Sequence, residues 1–265
     1  MEIGYHRSEM LTRRNGIAIG LAALLWSATT SAMAQELRVA AASDLQAALP
    51  DIAAQFEKTT GRHVALTFGS SGNFSTQIEN GAPFDVFMSA DIAYPKRLEQ
   101  AGLAERGSLY EYATGRLVLW TRRDSGIDVK GGLKVLTDGR VRRIAIANPE
   151  HAPYGRAAVA AIRHDGLYDR VQTKFVLGEN ISQTAQFAES GNAQVGLIAL
   201  AVALSPALKD AGTYAEVASD SYPPIEQAAI VVASSKQKAL AAQFVDSLKQ
   251  PAAKAILRSF GFAVR

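Results

Sequence analysis

The chain has 265 residues, 48% of them hydrophobic, with 28 basic against 25 acidic side chains and a formal net charge of +3. That near balance gives no global field for nucleic acid or anionic lipid. The cysteine count of 0 removes disulfides, thiolate nucleophiles and cysteine-based zinc sites, together with the lipid-bearing cysteine that would tether an exported bacterial protein.

Residues 1–34 read as a removed leader. Arg13 and Arg14 precede an apolar run from Ile17 to Trp26, and Ala32-Met33-Ala34 supplies an A-x-A cleavage signal, so the mature chain is expected to start at Gln35. The run is shorter than the roughly 20 apolar residues of a spanning helix, and Gly16 stands where a twin-arginine signal usually wants a large apolar residue. These features predict export by the general secretory route to the periplasm of a Gram-negative bacterium.

Beyond the leader, short β-rich runs alternate with helical patterns. Strands are expected at Leu37 to Ala41, His63 to Phe68, Val86 to Ser89, Leu117 to Thr121 and Ile144 to Ala147. Between them, Leu45, Leu49, Ile52, Ala53 and Phe56 fall at helical spacing ahead of Gly61. Further helices are expected from about Asn73 to Glu79, from Asp91 to Gln100 and from Pro153 to His164. Strands separated by helices indicate an α/β fold with parallel sheet. No linker, repeat or charge run divides the chain, so any two lobes must be joined by ordered strands.

Two strand ends carry serines. "VAAASDL" puts Ser43 at the end of the first strand, and "LTFGSSGN" puts Ser71 at the end of the second, flanked by Gly69 and Gly72. At such a junction the first backbone N–H groups of the following helix lack intrahelical partners, and the helix dipole favours an anion there. Serine also serves as a plain helix cap, so both readings stand at this point. Asp44 would repel a bound dianion, and its side chain is expected to turn away and leave only its N–H available.

Five stretches carry a resemblance: "AAASDL", "FGSSG", "QIENGAPFDVFMSAD", "IANPEHAPYGRAA" and the closing "SFGF". In this order and separation they resemble the periplasmic molybdate-binding proteins of ABC transporters, over essentially the whole mature chain. The resemblance implies a type II periplasmic binding protein fold, two α/β lobes with mixed sheets joined by crossing hinge strands. The crossings map to about Gly115 to Leu119 and Gln227 to Val231. Residues 35–116 plus 229–265 would form the first lobe and residues 117–228 the second, with helices at Lys236 to Lys249 and Pro251 to Ser259 packed on the first.

By the same resemblance Ser43 and Ser71 would donate to the oxyanion from the first lobe, and Tyr154 and Ile181 would offer backbone N–H groups from the second. Many relatives carry a further tyrosine where this chain has Ala199, and the Tyr154 hydroxyl is the expected substitute. The implied cargo is molybdate or tungstate, passed by a monomer to an inner-membrane ABC permease. Sulfate or phosphate is the alternative; phosphate, carrying a proton, would need an acceptor such as Asp44.

A secreted serine hydrolase is the rival from another class. Of the 4 histidines His6 lies in the leader, His63 heads a strand, His164 sits late in a helix and His151 precedes the proposed site, and "GSSG" is not a G-x-S-x-G elbow. A ferric-ion site would want tyrosine pairs, where "SDSYPP" offers only Tyr222. With no GxGxxG or Walker loop, no nucleotide cofactor is expected. The sequence therefore predicts a binding protein without enzymatic activity, cofactor or free metal cation.

Overall fold

The computed structural model describes residues 36–264. The expected leader and its cleavage point lie outside the described residues. From Glu36 onward the chain builds β1 (Leu37–Ala42), α1 (Leu49–Thr60), β2 (Val64–Gly69), α2 (Ser71–Glu79), β3 (Val86–Ser89), α3 (Ala93–Gln100) and β4 (Tyr110–Gly115). There follow β5 (Leu117–Arg122), β6 (Ile144–Ala147), α4 (Pro153–His164), α5 (Tyr168–Val171), β7 (Phe175–Gly178), α6 (Ile181–Glu189), β8 (Val195–Ala199), α7 (Leu200–Ala203) and β9 (Gly212–Glu216). The chain then closes with β10 (Ile225–Val231), α8 (Lys238–Ser247) and α9 (Pro251–Ser259).

The strands form two five-stranded sheets, ordered β2-β1-β3-β10-β4 and β7-β6-β8-β5-β9. Each is mixed. In the first, β1 runs parallel to β2 and β3 while β10 runs antiparallel to β3 and β4. In the second, β6 runs parallel to β7 and β8 while β5 runs antiparallel to β8 and β9. The expected two-lobed α/β fold with mixed sheets is therefore present.

Alternation along β1 explains the first core. Leu37, Val39 and Ala41 face Leu45, Leu49, Ile52 and Phe56, with the C-terminal Phe244 and Leu257 in the same cluster, while Ala40 faces Phe74, Phe87 and Ile230 on the other side. Phe56 and Phe244 meet edge to face with ring centroids 5.2 Å apart. The end of the chain is thus packed against its beginning. In the second lobe Leu117 to Trp120 are all buried, as a strand covered on both faces requires.

Several ends differ from the sequence reading by a residue or two, among them the starts of α3 and α8, and three differences bear on the site. The helix expected to run on from Leu45 is split into a 3-10 turn, Ser43–Leu45, and α1, because a proline at position 50 fits only the first turn of a helix. Helix α2 starts at Ser71 rather than Asn73. The return crossing is not at Gln227 to Val231: β10 pairs from Ile225 opposite Gly115 to Val231 opposite Val86, so it lies wholly in the first sheet. The chain crosses within 217–224, where Pro223 and Pro224 have no N–H to extend a ladder. Gln227 and Ala228 consequently belong with the first lobe. The outward crossing, at Arg116 between β4 and β5, falls inside the expected span.

Candidate functional site

The carboxyl ends of four parallel strands meet at one place. β1 leads into the Ser43 turn and β2 into α2; from the other sheet β6 leads into α4 and β7 into α6. Ser43, Ser71, Tyr154 and Ile181 all line the resulting small cavity, and Ser70 and Asp44 line it with them. No lysine, arginine or histidine is in that lining.

Each helix start leaves donors. In α4 the residue before the helix, Ala152, offers no side-chain cap and Pro153 has no N–H, so Tyr154 carries the first free amide. In α6 Asn180 accepts from Gln183 N–H at 3.0 Å and leaves Ile181 N–H alone. The N–H groups of Ser71, Tyr154 and Ile181 have no acceptor among the described residues. Ser71 Oγ accepts from Ala90 N–H at 2.9 Å, and Ser43 Oγ accepts from Ser182 N–H at 3.4 Å. A hydroxyl that accepts from an amide keeps its own proton to give. The ensemble is a shell of neutral donors, with Asp44 as its one acidic residue, facing a space with no basic side chain, chemistry that suits an oxyanion.

Ser70 was missed by the sequence reading, which placed Ser71 at the head of the helix. Ser70 is the cap: its Oγ accepts from Asn73 N–H at 3.3 Å. The signal was present, but two adjacent serines cannot be told apart by propensity. Ser70 Oγ also lies 2.9 Å from His151 Nδ1 and 3.1 Å from the His151 carbonyl, and His151 Nε2 is 3.5 Å from Glu179 Oε2. This Ser–His–Glu row has the members of a hydrolase triad. Its hydroxyl is engaged as a helix cap, however, and the row runs from one lobe to the other as a bridge.

Other contacts span the cleft beside it. Gly72 N–H donates to the His151 carbonyl at 2.9 Å, and a Cβ on Gly72 would stand 2.7 Å from that oxygen. The glycine thus permits close backbone approach, to the opposite lobe. Ser182 Oγ, with one proton to give, lies 3.0 Å from the Ser43 carbonyl oxygen and 2.8 Å from Gln46 Oε1. Arg156 of α4 forms an ion pair with Asp91 and donates to Tyr94 Oη at 3.0 Å. These contacts hold the lobes together around the cavity.

Behind the donors lies a buried polar network. Asp44 Oδ2 accepts from Tyr154 Oη at 3.0 Å and from Gln227 Nε2 at 2.6 Å, and Gln227 Oε1 accepts from Tyr112 Oη at 2.8 Å. Asp44 Oδ1 is buried with no hydrogen-bond partner among the described residues. Burial pushes the Asp44 carboxyl up to about 6, against the opposing pull of the Gln227 and Tyr154 donors and of the Asp44 and Leu45 backbone. Burial, with Asp44 nearby, likewise drives the phenols of Tyr154 and Tyr112 upward, so both stay protonated.

This placement corrects the expected role of the Tyr154 hydroxyl. Its single proton goes to Asp44 and its oxygen accepts from Gln227 Nε2 at 3.2 Å, so it does not replace a donor lost at Ala199. Gly115 makes room for it, since a Cβ there would lie 2.1 Å from Tyr154 Oη.

The family described as bacterial extracellular solute-binding protein matches residues 37–263. The molybdate-binding protein ModA of Azotobacter vinelandii is 39% identical over 235 residues, 89% of this chain and 92% of that protein. The protein of the same name from Rhodobacter capsulatus is 39% identical over 240 residues, 91% of this chain and 93% of its own. Among solved structures, the A. vinelandii periplasmic molybdate-binding protein superimposes with a TM-score of 0.82, covering 87% of this chain and 100% of that one.

Proposed function

The chain belongs to the molybdate-binding proteins among the bacterial extracellular solute-binding proteins, and on that premise we propose that its inter-lobe cavity captures molybdate for an ABC transporter. The observation that carries the reading is the convergence of four strand-to-helix junctions, two from each sheet, on a space lined by amides and hydroxyls alone apart from Asp44 and apolar walls. Ser43 and Ser71 donate from the first lobe, and the Tyr154 and Ile181 amides from the second. All four are satisfied together only when the lobes are closed, so the anion favours closure by its contacts there. Tungstate, of nearly the same size and shape, binds likewise. The protein acts as a monomer in the periplasm and hands the anion to an inner-membrane permease.

Thermal unfolding of the ligand-stripped full chain with molybdate, tungstate, sulfate and phosphate side by side tests the reading. Stabilisation by molybdate and tungstate is expected; stabilisation by phosphate alone would overturn it and make Asp44 an acceptor. Two variants sharpen the assignment. Ser71→Ala removes a hydrogen bond to a charged group, about 1.5–3 kcal/mol, and calorimetry is expected to show molybdate affinity lower by roughly tenfold to a hundredfold. Gly72→Ala puts a methyl 2.7 Å from the His151 carbonyl oxygen of the opposite lobe and 2.8 Å from the Tyr94 hydroxyl of its own lobe. The phenol can swing aside whereas the carbonyl is backbone, so the overpacking, about 1–3 kcal/mol, falls mainly on closure. Molybdate affinity is expected to drop about tenfold or more, a larger effect than the one on urea unfolding of the anion-free protein.

A further inference from the structure

Asp44 is the only acidic residue lining the cavity, its carboxyl group set back in the polar network behind the donors, and its surroundings treat its two oxygens differently. Oδ2 takes the Tyr154 hydroxyl and the Gln227 amide; Oδ1 has no partner among the described residues. Every hydrogen-bonding group that faces it is neutral. Tyr154 comes from α4, Tyr112 from β4 through Gln227 of β10, and none of the ion pairs among the described residues includes Asp44. Arg156 of the same helix as Tyr154 is paired with Asp91.

We propose that Asp44 is a specificity-determining group of the anion site, a neutral carboxylic acid whenever a fully deprotonated dianion is held, so that capture takes up one proton from water. This rests on the oxyanion-binding reading above. A dianion beside an ionised Asp44 would put three negative charges in one small buried space with no cation to offset them, and like charges at such range force one group to protonate. The proton belongs on Oδ1. Among the described residues Oδ1 accepts from no group that a proton would displace, while Oδ2 still accepts from Tyr154 and Gln227. The anion-free protein is already poised for the change, since burial holds the carboxyl near about 6. The same group sorts anions by their protons: ionised Asp44 suits hydrogenphosphate, which brings a proton of its own, whereas molybdate must wait for one from solvent.

Calorimetry of the full chain with molybdate, in pairs of buffers that differ in ionisation heat, counts that proton. At about pH 7.5 more than half a proton is expected to be taken up per anion, and affinity is expected to fall by up to tenfold per pH unit above about pH 6. Asp44→Asn, which keeps an acceptor for Tyr154 and Gln227, should show no uptake and a flat profile, and at about pH 8 should bind at least tenfold more tightly than wild type. Wild-type binding with no proton uptake and a flat profile would overturn the proposal and leave the oxyanion reading intact. Uptake that persists in Asp44→Asn would assign the proton elsewhere and overturn it too. Absence of molybdate binding by wild type at every pH would bring down both. The wild-type proton count decides the matter even where the variant fails to fold.

Discussion

Gly155→Ala is expected to destabilise the protein by about 3 kcal/mol or more and to abolish measurable anion capture. Gly155 lies in the first turn of α4, and a Cβ built on it would stand 2.0 Å from the Ala147 carbonyl oxygen and 2.7 Å from its carbon. Both atoms are backbone at the end of β6, so no side chain can swing aside. The helix must lift off the sheet, breaking contacts in a close-packed core. Lifting its start also withdraws the Tyr154 N–H from the cavity, so stability and binding fall together. Urea unfolding should show a lower midpoint, and calorimetry should show no molybdate heat. Gly131→Ala, at a position where a Cβ meets nothing within 4 Å, is the control expected to be nearly neutral. A Gly155→Ala protein with wild-type midpoint and affinity would mean that α4 does not rest on β6 as closely as described.

The second large effect is a gain. Without any anion, Asp44→Asn should be more stable than wild type by about 3 kcal/mol at about pH 8. The carboxyl's ordinary value of 3.8 is raised by burial to about 6 in the folded protein, so folding favours the protonated form. That favourable contribution is complete below the ordinary value and is lost as pH rises through about 6, above which the folded chain holds a buried charge with no counter-ion. Asparagine carries no such charge. The difference between variant and wild type should therefore be full above about pH 7 and shrink toward zero as pH falls to about 4, read from urea midpoints across that range. A gap that did not change with pH would refute burial as its origin.

Much of this arrangement is legible in the sequence. The short apolar run from Leu37 to Ala42 and the apolar spacing from Leu45 to Phe56 mark the first strand and helix, and the small hydroxyl residues at the strand ends mark where the cavity forms. Tyr154 and Ile181 are different, because what they present at the cavity is a free main-chain N–H, and no side-chain chemistry distinguishes an isoleucine that offers an amide from one that fills a core. Family resemblance alone singles them out in the sequence. Cleft-spanning contacts are harder still: Gly72 against His151, or Asp44 against Tyr154, join residues far apart in the chain whose meeting depends on how the lobes are set. The misplaced crossing has the same origin. "EQAAIVV" reads as a strand wherever it pairs, and which sheet receives β10 is decided by partners on β3 and β4 rather than by its own residues.

The position of β10 between β3 and β4 has a consequence for how a copy of this protein comes into being. A ribosome releases all five strands of the second sheet, which are contiguous in the chain, before it releases the strand that completes the first. The later half can zip up as the chain emerges N-terminus first, whereas the earlier half must wait, its ends held apart by an entire folded lobe, and such distant pairing is slow. A nascent chain that stops short of Ile225 leaves β3 with a bare edge, the kind of surface that chaperones and proteases recognise. Truncated copies are thereby kept from presenting a finished jaw.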